Sequence, residues 1–251
     1  MKKSIRKVLL AASLMIAAAV AERAQAQSNS YLEAGIPATN RVWLGPDYER
    51  AAGILASGSV DLPRYDDEAG RDVLLRLTSL ENFALANNRT LAIGARLNDT
   101  ALRLNGAGTI LKLYLNAATN GAKVNRELVQ LSVFLLHNAT ILLPMLDEFA
   151  ASIPDFYNQP IRVEGRRKAH AGVVTMFAGA EVSLSETDFY STEDVSYLLQ
   201  GMADTLPALK VAFTPEYREE LRIKLNEHRA RLDGVEDRAI LDRMLLELGA
   251  E

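Results

Sequence analysis

The longest unbroken pattern in this chain lies between Val124 and Phe149, where Val124, Leu128, Leu131, Leu135, Asn138, Leu142, Met145 and Phe149 recur in alternating steps of four and three. That spacing keeps every member on one side of an α-helix and reads as a heptad seam. A second stripe, Val129, Val133, Leu136, Leu143 and Leu146, runs beside the first. Apolar surface therefore wraps more than one face, which predicts a central helix over about residues 122–152 with neighbours around it. Pro144 is expected to kink it. Leu128 to Leu146 holds no Asp, Glu, Lys or Arg, so a membrane span is the competing reading. Gln130, His137, Asn138 and Pro144 weigh against it, because polar groups in the middle of a lone span are costly while a bundle can satisfy them.

Helical periodicity continues on both sides of this rod. Val73, Leu77, Leu80 and Ala84 form one stripe, and Leu97, Ala101, Leu104, Gly108, Leu111 and Leu115 form another; both are expected to be buried. Small residues such as Ala101 and Gly108 would admit a close neighbour, while Asn105-Gly106 is read as a helix end. The segment from Ile153 to Pro160 is a proline-bounded connector, followed by a helix from about Arg162 to Leu184. Ser191 or Thr192 caps a helix carrying Val195, Leu198, Leu199 and Met202, which Pro207 ends or bends. Thr214-Pro215 gives the cleanest helix start, a capping hydroxyl followed by proline, with Glu216, Glu219 and Glu220 near the positive end. Gly234 closes that helix, and Val235 to Leu248 makes the last one. No convincing alternating strand pattern appears. The fold class is all-α: a bundle of seven to eight helices over residues 63–251.

Residues 27–62 have a different texture. Gly35, Pro37, Gly45, Pro46 and Gly58 break every run, leaving an irregular arm with one short helix over Tyr48 to Leu55. Trp43, the single tryptophan, is expected to pin the arm to the body. Ahead of the arm, Lys2, Lys3, Arg6 and Lys7 precede an apolar stretch, Val8 to Val20, and the small-x-small site Ala24-Gln25-Ala26. This is the layout of a cleavable bacterial secretory signal over residues 1–26, with an uncleaved membrane anchor as the alternative. The expected location is the periplasm or the outside of the cell, and the expected contact with a membrane is transient, through the signal.

Composition narrows the partners. Removing 1–26 takes away five basic residues and one acidic one, so the formal charge moves from −4 to −8, with 23 basic against 31 acidic residues. An acidic chain without a basic tail is not built for nucleic acid or anionic lipid surfaces. The chain has no cysteine, so its hydrophobic core alone must hold it together. About 225 mature residues are enough for that.

Chemistry is sparsely signposted. Nucleophile elbows, His-Glu-x-x-His, phosphate loops and calcium loops are all missing. His137, His170 and His228 fall on three different helices, without the i,i+4 His or i,i+3 Glu partner that a helical metal site needs, so neither metal nor cofactor is expected. Two groupings stand out as candidate sites. Arg162, Arg166 and His170 share a stripe beside Arg167, just after the aromatic pair Phe156 and Tyr157, and could hold an anion or an acidic partner. In an unbroken helix, Asn87, Asn98, Asn105 and Asn116 would align as an amide-lined groove for a sugar or an extended peptide, with Arg89, Arg96 and Arg103 opposite. The sequence is thus read as an exported helical protein that binds a ligand or a protein partner. Two alternatives are kept: an envelope hydrolase drawing its acid and base from Glu81, Asp99, Glu148, Glu164 and Glu181, and an immunity-type inhibitor of an envelope-targeting toxin.

Overall fold

The computed structural model describes residues 30–185 and 190–249; the stretch 1–26 expected to act as a secretory signal, and the first residues of the arm, lie outside them. After one helical turn at 30–33, nine α-helices follow, and no strand occurs among the described residues. They are α1 (Gly45–Ser57), α2 (Glu68–Leu77), the single-turn α3 (Ala84–Asn87), α4 (Ile93–Thr119), α5 (Asn125–Ser152), α6 (Pro160–Ser185), α7 (Thr192–Leu209), α8 (Pro215–Arg231) and α9 (Val235–Gly249).

The central rod is α5, and its two sequence stripes serve two different cores. Val124, Leu128, Leu131 and Leu135 pack into a cluster with Trp43, Tyr48, Leu55, Val73, Leu77, Phe83, Ile110 and Tyr114 from the N-terminal elements. Val129, Val133, Leu136 and Leu143 pack into another with Phe177, Leu184, Leu199, Met202, Leu206, Leu225 and Met244 from the C-terminal helices. By length and composition α5 could cross a membrane, yet about two thirds of its apolar window is buried in protein. The helix runs on through Pro144, which is exposed.

The arm is part of the first core. Trp43 is fully buried, donates its indole N–H to the Ala38 carbonyl at 3.1 Å, and meets the Tyr48 ring edge-on. Tyr48 in turn stacks on Phe134 of α5. Helix starts follow the expected caps: the Ser191 hydroxyl accepts from the Asp194 amide, and that of Thr214 from the Tyr217 amide.

Three expectations are corrected. The stripe beginning at Val73 stops after Leu77, because Thr78 folds back onto the Leu74 carbonyl and Ser79 starts a separate 3₁₀ turn; Leu80 and Ala84 are exposed. Asn105-Gly106 does not end a helix, since α4 continues to Thr119. A Cβ on Gly106 would lie 2.5 Å from the Tyr48 backbone, so the tight crossing of α1 over α4 uses this glycine and its burial outweighs the local helix cost. Nothing lies within 4 Å of a Cβ at Gly108, the position expected to admit the neighbour. Finally, α4 is rotated from its apolar stripe: Leu97, Leu104 and Leu111 are half-buried and Leu115 is exposed, while Arg96, Asp99, Thr100, Arg103, Ala107, Ile110 and Tyr114 face inward.

Candidate functional site

A left-handed turn borders a cavity at the start of α5. At the end of α4, Gly121 adopts φ +88°, a conformation that strains any L side chain, and the chain reverses into α5. The residue before α5, Val124, is buried and offers no side-chain acceptor; the first intrahelical bond runs from the Leu128 amide to the Val124 carbonyl at 3.0 Å. The positive end of a 28-residue helix therefore opens without a side-chain cap. Beside it lies a cavity of about 960 Å³, walled by Leu115, Ala118, Thr119, Gly121 to Lys123 and Asn125 to Leu128, by Arg64 to Asp66, and by Tyr190 just ahead of α7. Tyr65 packs against the N-terminal core and Tyr190 against the C-terminal one, so the cavity marks where the two cores part at the head of their shared helix.

Its walls are fixed by a buried carboxylate. Glu127 accepts the Tyr65 amide at 2.8 Å and lies 3.3 Å from the Nε of Arg64, while the Arg64 Nη2 donates to the Lys123 carbonyl. The Tyr114 hydroxyl donates to the Pro63 carbonyl just upstream. The Arg126 guanidinium sits 4.4 Å from the centroid of the Tyr65 ring. Burial raises the Tyr65 phenol above its ordinary value, with Arg126 opposing. The lining carries three cations, Arg64, Lys123 and Arg126, against Asp66 and Glu127, a locally positive patch on an acidic chain.

Two buried polar networks lie elsewhere. In the first core, Arg103 donates to Asp99 and, at 3.2 Å, to the Asn138 side-chain Oδ1; Asp99 also accepts the Gly45 backbone amide at 2.6 Å, and the Asn138 side-chain Nδ2 donates to the Thr100 carbonyl at 3.3 Å. The Arg103 guanidinium lies over Phe83. In the second core, Glu181 sits between His228 Nε2 at 2.9 Å and Lys224 Nζ at 3.1 Å, with the Tyr217 phenol pushed up to about 12 by burial and then by the Glu181 charge.

The residues singled out from sequence fall mostly outside these places. The patch Phe156, Tyr157, Arg162, Arg166, Arg167 and His170 lies on the 3₁₀ turn and the exposed N-terminal half of α6. Phe156 is buried, Tyr157 is exposed and meets it edge-on. Arg166 pairs with Asp147 at 2.6 Å and Arg167 with Glu164 at 2.7 Å, which removes much of the charge an anion would seek. His170 is half-buried, its imidazole held below the ordinary value by burial and then by Arg166. Of the asparagines, Asn87 belongs to α3, a separate helix, so the four-residue row does not form; Asn98, Asn105 and Asn116 lie exposed on α4, and it is Arg96 and Arg103 opposite them that turn inward. The five carboxylates considered for hydrolysis each have their own basic partner: Glu81 with Arg76, Asp99 with Arg103, Glu148 with Arg96, Glu164 with Arg167, and Glu181 with His228 and Lys224. Among the described residues, no group of three or more His, Cys, Asp or Glu is placed to hold a metal ion. No family model matches the chain, and no curated protein or solved structure matches it.

Proposed function

We propose that this is an exported helical binding protein and that its ligand occupies the cavity at the head of α5. The observation that carries the reading is the position and make-up of that cavity. It is walled by residues that pack against both cores, has the size of ordinary small-molecule sites, and mixes the aliphatic Leu115, Ala118, Ala122 and Leu128 with charged and aromatic groups. The enzymatic alternative has less support, since neither described cavity contains more than one of the five candidate carboxylates.

Native mass spectrometry of the chain purified gently from its own cell envelope tests the reading. The expected species starts at Gln27 and carries a bound small molecule, and the same preparation of Ala118→Trp, which fills the cavity, is bare. Retention of the molecule by Ala118→Trp, or a wild-type chain as bare as the variant, would contradict it.

A further inference from the structure

We infer that the cavity takes a small amphiphilic anion, its carboxylate or phosphate seated against Lys123, Arg126 and the first turn of α5, and its apolar body along Leu115, Ala118 and the Tyr65 ring. This rests on the reading of the cavity as the ligand site and adds the ligand's chemistry. Arg64 and Glu127 compensate each other and hold the wall, so they are scaffolding. Lys123 and Arg126 are exposed on the lining and have no carboxylate partner among the described residues. Arg126 is held over a tyrosine ring, which limits the side-chain freedom lost when an anion binds. The backbone at the start of α5 adds N–H groups of the same sign, since Val124 gives no side-chain cap and the first turn's own carboxylate, Glu127, is buried and already engaged by Arg64 and the Tyr65 amide. Among the described residues of the lining, the one remaining acidic group, Asp66, is largely solvent-exposed and 3.9 Å from Arg64. Leu115, Ala118, Ala122 and Leu128 give the same lining an aliphatic part, which a bare inorganic anion would leave unfilled.

Isothermal titration of the mature chain against decyl phosphate, decanol, decyltrimethylammonium and inorganic phosphate tests the chemistry. Decyl phosphate is expected to bind best, with affinity falling as salt rises, and the Lys123→Gln/Arg126→Gln variant to lose about tenfold or more for it while its affinity for decanol is unchanged. Phosphatidylglycerol vesicles, which present a phosphate on a surface and not as a free amphiphile, are expected to leave the chain unbound. If decanol or the ammonium compound binds as tightly as decyl phosphate, the anion inference fails while the cavity stands as a ligand site. Equal binding of inorganic phosphate removes the apolar half of the inference. Binding to vesicles without binding to decyl phosphate overturns it, and silence from all four soluble probes overturns both readings. Both substituted residues are exposed, and the salt dependence of the wild type reads the same charge without any substitution.

Discussion

Glu181 shows how a single residue in this fold couples charge to stability. Burial alone would raise its carboxyl, but hydrogen bonds from His228 and Lys224, and their charges, hold it below the ordinary 4.5. A carboxyl depressed in the folded state stabilises fully above its unfolded value, and that contribution is lost as pH falls below 4.5. Glu181→Gln is therefore expected to cost about 1–3 kcal/mol at neutral pH. In urea melts the gap to wild type should close as pH drops through the carboxylate range; a gap that stays constant down that range would show that the paired charge is not the source. In the other core Asp99 and Arg103 form a buried pair whose bonds to Gly45 and Asn138, with Arg103 over Phe83, tie α1, α4 and α5 together.

At the scale of elements, the close crossings are set by glycines that propensity alone would count against a helix. Gly106 lies under the Tyr48 backbone, and a Cβ on Gly201 of α7 would come within 2.7 Å of Val133 on α5. Gly106→Ala should destabilise by about 1–3 kcal/mol through forced separation of α1 from α4. Gly108→Ala, with open space around it, should stabilise by up to about 1 kcal/mol. Thermal melts of the two variants moving in the same direction would contradict this assignment of the crossing.

The same comparison explains what could be read from sequence. The α5 seam and its companion stripe were legible because both faces are apolar, and the caps at Ser191 and Thr214 because a hydroxyl before a helix has one common use. The orientation of α4 was not legible: an i,i+4 pair such as Asp99–Arg103 is ordinary on an exposed face, and nothing local reveals that Glu148 would reach Arg96 or Asn138 would reach Arg103 from over thirty residues away. The cavity was hidden for a related reason. Its walls come from 64–66, 115–128 and 190, three separated segments with no shared motif, and Arg126-Glu127 by themselves read only as the charged flank of an apolar run.

At the scale of the whole molecule, one helix supplies a wall to both cores, so the chain is organised around α5 as a shared spine and not as two independent bundles. The exposed N-terminal half of α6 lies farther along the chain, where Arg166, Arg167 and Lys168 are paired with carboxylates and the packing is thin. The cavity belongs to the other end, where the two cores diverge from the spine. Hydrogen exchange of residues 27–251 with and without decyl phosphate tests this arrangement most directly. The expected result is slowest exchange at the centre of α5 in both states, with added protection confined to 64–66, 115–128 and the residues around Tyr190. Protection appearing instead between Phe156 and His170, or no change at the head of α5, would contradict the account.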